Sequence, residues 1–380
     1  MTITFFSNFL NIHQLPFCLE LIKHIGEDNF RFVATSKLAS DRVAMGFEDM
    51  NLKPFVVRTY DASGEGYQEA LRLATESDVA IMGSSPLEFT EARLRTNKLT
   101  FQYTERLLKL GWRVFTMPGF YRSTYCRFFR YRKKNQYVLC ASAYTAPDLE
   151  KLGWSRNKCF KWGYFPEVNI AYPRVEDNNG LKHPDVSILW AGRLIGLKHP
   201  EVAILIAEAL KKAGKAFTMR IIGDGEKMDS LKNEIIAKKL EDYITMLGSQ
   251  PHEVVLEEMQ KADIYLFTSD RNEGWGAVLN EAMSSGCAVV ASDAIGSAPF
   301  LIKNGVNGYT YHDGDTEDLL QKVCGLIDDP QKRNQLSAEA IKTMCDEWSI
   351  ENATNNLIEL IIGIQKNCKT PIVSGPCSLA

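Results

Sequence analysis

The sequence has no run approaching the ~20 consecutive apolar residues that a membrane-spanning helix needs. Residues 1–17 lack the basic stretch, apolar core and small-residue cleavage site of a secretion signal, and read instead as a first strand and loop. Charge of one sign is not in excess: 44 Lys and Arg stand against 47 Asp and Glu, so nothing in the total calls for a nucleic-acid partner. No CxxC or HExxH occurs and the six histidines are scattered, which argues against a zinc site and leads us to expect no metal. The nine cysteines are odd in number and most lie in apolar or helical contexts, such as Cys140, Cys287 and Cys324. That excludes a disulfide framework and fits reduced thiols in a cytoplasm. There is no low-complexity tract.

What is present is an ordinary apolar content of 45% over 380 residues, too long for one typical domain. Short apolar runs alternate with amphipathic stretches along almost the whole chain. In the second half, strands are expected at 186–190, 217–222, 243–247, 263–267 and 287–291, with helices at 199–213, 226–239, 252–260 and 276–285. Strands apolar on both faces imply parallel sheets covered by helices, and the βα alternation implies double winding. The first half repeats the pattern less cleanly, with strands near 2–6, 30–34, 55–58, 78–82, 98–102, 113–116 and 137–140. The boundary is expected at 163–167 and the polar stretch 175–185, giving two Rossmann-like α/β halves, 1–167 and 168–348, facing a central cleft. A last helix near 349–366 follows, and the tail beyond Lys366 is expected to fray.

The most informative segment is 269–286. It follows a strand's carboxyl end, where open α/β sheets bind ligands. Glu273 and Glu281 are eight residues apart; if 276–285 is helical, Glu273 sits just before its start and Glu281 about two turns in, on the same side. Gly274 and Gly276 let backbone approach a ligand and leave donors free at the helix start, beside Trp275. Carboxylates there could accept sugar hydroxyls; equally, one could cap the helix and the other be solvated. Arg193 and Lys198 follow the 186–190 strand in a loop holding Gly192 and Gly196. Both could converge on one diphosphate and neutralise charge on a leaving group. Gly223, Asp224 and Gly225 follow the next strand, and Gly248 the one after.

This segment resembles the Glu–seven residues–Glu signature of family four glycosyltransferases, which have the GT-B fold. The likeness runs from about 186 to 350 and includes 191–198, 221–226 and 286–293. It implies a retaining glycosyltransferase that moves a sugar from a nucleotide-diphosphate donor, as co-substrate, to a hydroxyl of a saccharide or lipid-linked acceptor in polysaccharide or glycolipid assembly. It implies Arg193 and Lys198 on the diphosphate, Glu273 at the donor sugar and Glu281 at the ribose. Gly192, Gly223, Asp224, Gly248, Gly274, Trp275 and Gly276 would line the donor. The helix near 349–366 would pack back on the first half. Rival readings are a GT-B epimerase or phosphorylase, and a sugar-nucleotide-binding subunit without catalysis. The Asp-x-Asp at 313–315, a metal motif in GT-A enzymes, reads here as a turn with Asp315 as helix N-cap.

The first half is less legible. Glycines that relatives place after the first strand are absent, and 7–16 offers Asn8 and His13 instead. Family members often carry a His after a later strand. The matching region 99–108 has none; Thr104, Glu105 or Arg106 could occupy that space, Glu105 either binding an acceptor hydroxyl or taking its proton, or being an ordinary exposed carboxylate of an amphipathic helix. Asn8, His13 and Glu105 are the expected acceptor-side contacts. Residues 118–134 interleave six cations with six aromatics and are expected to form a basic amphipathic helix, suited to peripheral contact with the inner face of the cell membrane through 120–134, or to ordinary packing of its aromatics on the sheet.

Overall fold

A computed structural model of the chain describes residues 1–38, 48–167, 185–368 and 372–380. The chain divides into two compact units, Met1–Glu167 with Ile350–Ala380, and Val168–Ser349. Nearly all of the polar stretch 175–185 lies outside the described residues.

The first unit is built on a seven-stranded sheet: β1 Ile3–Ser7, β2 Phe30–Ala34, β3 Val56–Arg58, β4 Val79–Met82, β5 Leu99–Thr104, β6 Gln136–Cys140 and β7 Cys159–Lys161. Its order is β3-β2-β1-β4-β5-β6-β7, with every pair parallel. All of β1 and β4 is buried, as strands covered by helices on both faces require. Arg93, wholly buried, donates to the carbonyls of Ala74, Ser77, Asp78 and Leu99 and to Thr100 Oγ1. Burial pushes its pKa down to about 10, and the five bonds tie a helix to the amino-terminal edge of the sheet.

Three expectations fail in this unit. Residues 113–116 are not a strand but part of a 3₁₀ helix, Gly111–Thr116: Gly111 has φ +60°, and only Val114 of the segment is buried, so nothing holds it in a sheet. Of the tail expected to fray, 369–371 lie outside the described residues, and 377–380 are ordered. Lys161 N donates to Ser378 O (2.8 Å), Cys377 N to Lys161 O (2.7 Å) and Ala380 N to Cys159 O (3.0 Å), so residues 377–380 run antiparallel along the free edge of β7. Finally, 118–134 is not one amphipathic helix. A helix at Pro118–Thr124 passes into a π-turn at Tyr125–Phe129, where Phe128 is buried against Trp154 and Arg127 reaches Thr90 Oγ1 and the Ser85 carbonyl. Arg130 pairs with Glu91 at 2.9 Å. The last helix, Ile350–Gln365, packs on Leu15–Ile25.

The second unit holds β8 Val186–Ala191, β9 Phe217–Ile222, β10 Ile244–Gly248, β11 Ile264–Phe267, β12 Ala288–Ser292 and β13 Tyr309–Tyr311, in the order β10-β9-β8-β11-β12-β13, again parallel throughout. Its core joins Ile188, Ile221, Leu266 and Val290 to Ile204 and Ala207 of helix Pro200–Lys212 and to Leu319 and Val323 of helix Thr316–Asp328. Each of these Val, Leu and Ile side chains contributes about 1.5–3 kcal/mol by leaving water. Asp315 caps the latter helix, its carboxylate accepting from the amides of Glu317 and Asp318. The winding reverses between β8 and β11. The crevice outside the carboxyl ends of these two neighbours is the topological switch point, where such sheets leave room for a ligand.

Candidate active site at the carboxyl edge of the second sheet

Two loops meet at that reversal, one leaving β8 and one leaving β11. The first carries Arg193 and Lys198, the second Glu273. The ammonium of Lys198 is hydrogen-bonded to Glu273 Oε2, with both side chains about 85% buried (15% and 14% exposed). The same ammonium lies 5.4 Å from the centre of the Phe267 ring, and a methyl group on Gly192 would meet the Lys198 stem at 3.9 Å. Around the pair the loops are locked together. Thr268 Oγ1 donates to the Lys198 carbonyl (2.7 Å) and receives Trp190 Nε1 (2.8 Å), while Asp270 N donates to Leu197 O (3.0 Å). His199, at φ 47°, sets its ring between Glu201 (3.0 Å) and Asp270 (3.2 Å). The only trace of this His199–Asp270 bridge in the sequence is a His-Pro step at the helix start.

Arg193 is exposed and does not join the Lys198–Glu273 contact. Its loop is nonetheless fixed: Gly192 N donates to Ile222 O (3.0 Å), Leu194 N to Asp224 O (2.9 Å) and Lys227 N to Leu194 O (3.0 Å). Gly223 has φ +140°, and a Cβ there would lie 1.8 Å from the Gly192 carbonyl oxygen. No other residue permits so close an approach of the loops after β8 and β9. Gly223 N donates to Gly248 O at 2.8 Å, which brings in the β10 loop, and Asp224 projects into solvent, its Oδ1 accepting from Gly225 N.

The helix expected over 276–285 spans Val278–Ser284. Gly276, at φ +79°, delays its start because the backbone crosses the Phe267 ring, 2.8 Å from where a Cβ would sit. Glu281 therefore lies in the first turn rather than two turns in. It is 8% exposed, and its Oε1 is 3.1 Å from His252 Nε2. That bond raises the His252 pKa above its usual value, since the carboxylate favours the imidazolium. Nothing in the sequence singled out His252, because its partner is 29 residues away. Tyr265 feels the charge of both carboxylates. It is buried, its hydroxyl donates to Ala191 O (2.9 Å), and burial, then the charge of Glu281 and more weakly that of Glu273, drive its pKa well upward.

Trp275 is a correction. Expected to line the donor, its side chain is 1% exposed, bonds Asn280 Oδ1 (2.8 Å) and packs on Trp348 and Phe300 with ring centres 5.7 and 6.3 Å away. A large ring gains more from that aromatic cluster than from a wet loop. Gly274 beside it is buried, and its φ is unexceptional.

In the first unit, His13 and Glu105 meet at Tyr164. The His13 ring is 6.2 Å from it, and the Tyr164 hydroxyl donates to Glu105 Oε1 at 3.2 Å, while Lys109 holds Oε2 at 2.9 Å. Burial and the Glu105 charge push the Tyr164 pKa up. Just before the helix Leu15–Ile25, Asn11 Oδ1 accepts from the amides of His13 and Gln14 at 3.0 Å. Asn8 takes the Ser7 hydroxyl at 3.1 Å, apart from that pair.

Residues 173–343 match the family described as glycosyl transferases group 1. The poly(glycerol-phosphate) alpha-glucosyltransferase of Bacillus subtilis is 34% identical over 156 residues, 39% of this chain and 23% of that protein. The amylovoran biosynthesis glycosyltransferase AmsK of Erwinia amylovora is 35% identical over 142 residues, 36% of this chain and 35% of that one. The chain thus covers well under half of either relative. Among solved structures, Anabaena HepE in complex with UDP superposes with a TM-score of 0.71 at 16% identity, over 96% of this chain and 100% of that one.

Proposed function

We propose, from the premise that this chain belongs through its second unit to the group 1 glycosyl transferases and has the GT-B fold, that it moves a sugar from a nucleotide-diphosphate donor to a hydroxyl with retention of anomeric configuration. The observation that carries the reading is the Lys198–Glu273 contact at the switch point of the second sheet. A bound diphosphate takes the ammonium and frees the carboxylate to accept two hydroxyls of the transferred sugar. Arg193, exposed on the same loop, closes on the other phosphate oxygens with its fork of donors. Glu281, oriented by His252, accepts the ribose hydroxyls.

In the reaction, the bond from the anomeric carbon to the diphosphate oxygen breaks and a bond to the acceptor oxygen forms on the same face. The acceptor proton passes to the departing phosphate, so the nucleotide diphosphate leaves as the second product. Lys198 and Arg193 stabilise the charge that builds on that leaving group, a contribution of several kcal/mol where water is excluded. On this account the charge is met by side chains and no metal is required. The acceptor belongs to the first unit, where Asn8, His13 and Glu105, with Tyr164, offer polar contacts. Relatives named for poly(glycerol phosphate) glucosylation and for amylovoran synthesis support a saccharide or lipid-linked acceptor in polysaccharide or glycolipid assembly. HepE, solved with UDP and with UDP-glucose, makes UDP-glucose the first donor to try. No disulfide joins the nine cysteines, in keeping with a cytoplasmic site of action.

The test is acceptor-dependent release of nucleotide diphosphate from a panel of UDP-, GDP- and ADP-sugars, repeated with EDTA, with the product anomer read by NMR. Release that needs no acceptor argues for an epimerase or hydrolase and against transfer. Inversion of the anomer, or loss of turnover with EDTA, overturns the retaining, metal-free mechanism.

A further inference from the structure

One surface of the first unit plays no part in the sugar chemistry above. Leu110, Trp112, Met117, Tyr121 and Tyr125 are each 48 to 63% exposed within sixteen residues. Their rings form a band: Trp112 stacks on Phe115 (5.7 Å), Phe115 meets Phe120 edge-on (5.5 Å) and Tyr121 stacks on Tyr125 (6.4 Å). The band is held from beneath by Val114, Thr124 and Cys126, which are buried, and by the Arg127 bonds to Thr90 and Ser85. It is therefore a built projection. From Arg106 to Pro147 the sequence has nine Lys and Arg and no Asp or Glu. Arg113 and Arg122, on the band itself, and Arg132 and Lys133 just beyond it are exposed and make no ion pair among the described residues.

We propose that residues 110–125 dock on an anionic lipid bilayer, Trp112, Met117, Tyr121 and Tyr125 entering the headgroup region and Arg113 and Arg122 pairing with lipid phosphates. Trp and Tyr favour that layer because one end of each ring is apolar and the other hydrogen-bonds. Cations beside them add attraction to acidic headgroups that salt weakens. A second copy of this chain fits the surface poorly: a two-fold contact would set Arg113 and Arg122 against their own copies with no carboxylate in the segment to offset them. No helix among the described residues is long and apolar enough to cross a membrane, so the contact is superficial. The inference does not depend on the proposed reaction.

The experiment is sedimentation of the full chain with vesicles of phosphatidylcholine alone and of phosphatidylcholine mixed with phosphatidylglycerol, without donor or acceptor. Binding to the mixed vesicles only, falling as salt rises, is expected. The paired substitution Arg113→Glu and Arg122→Glu should lower it by about tenfold or more. Because Trp112→Ala could disturb local packing, Trp112→Phe serves as the second variant. Bromine-labelled lipid should quench part of the wild-type tryptophan fluorescence, and that part should vanish in Trp112→Phe while binding persists. Equal sedimentation with neutral vesicles, no sedimentation, or quenching unchanged in Trp112→Phe overturns the proposal. So does a salt-resistant dimer that Tyr121→Ala dissolves, which would make a second copy the occupant.

Discussion

Replacing Lys198 by Met and Glu273 by Gln, singly and together, separates a structural ion pair from a catalytic one. Breaking a fully buried pair costs about 3–5 kcal/mol, and an exposed pair is worth ~0–1 kcal/mol. With only 15% and 14% of the side chains exposed, this pair lies nearer the buried limit. Each single change should therefore cost about 2 kcal/mol of stability in the unligated protein, because it leaves the partner's charge unpaired in a poorly solvated pocket. The double variant should lose less than the sum, with a coupling of about 1–2 kcal/mol, since no orphan charge remains. Turnover should behave differently. A preorganised group that meets charge developing on the leaving group is worth ~2.7–4 kcal/mol, or about 10²–10³ in kcat, and Glu273→Gln does nothing to restore it. Arg193→Ala, at an exposed side chain, should leave stability unchanged and still lower turnover about tenfold to hundredfold. Urea melts give the first set of numbers and acceptor-dependent nucleotide release the second. Should Lys198→Met couple to Glu273→Gln in stability yet keep turnover within about threefold of wild type, the pair is only a strut and the proposed site is wrong.

Gly223→Ala should cost about 2–5 kcal/mol in chemical denaturation, because the new Cβ would sit 1.8 Å from Gly192 O at a φ of +140°; a near-neutral effect refutes the interlocked loops. His252 has a raised pKa in the fold, so the stability its proton contributes is complete below the unfolded value of about 6.5 and is lost as pH rises through the folded value. The melting temperature of wild type relative to His252→Gln should accordingly fall from mildly acidic to mildly alkaline pH; a constant difference removes the Glu281 bond from consideration. Arg93→Met should cost about 3 kcal/mol or more, because it strips the partner from buried carbonyls at Ser77 and Leu99; a loss under ~1 kcal/mol in urea melts contradicts that account.

Much of the fold is legible in the sequence because strands buried on both faces must be largely apolar, as β11 (Ile264–Phe267) and β12 (Ala288–Ser292) are. Elements held by few contacts are not. The three-residue strands β7 and β13 are too short for periodicity to register, and residues 113–116 carry a strand's composition without a neighbour to pair with. Glycine and charge placed Lys198, Glu273 and Glu281 in one region. Trp275 was misjudged because adjacency to a carboxylate in sequence says nothing of which way a ring turns, and its partners, Trp348 and Phe300, are 73 and 25 residues away.

By itself, then, the chain's alternation of apolar and amphipathic segments determined two parallel-sheet units, and its strand-end loops determined where polar groups would gather. Those are local properties, fixed by the side-chain period and by backbone freedom at glycine. Which groups touch was decided by tertiary structure alone: Lys198 with Glu273 across 75 residues, His252 with Glu281 across 29, Tyr164 with Glu105 across 59, and the tail along β7. Such pairings depend on strand order and on the direction each side chain leaves its loop, and neither leaves a periodic trace in the sequence.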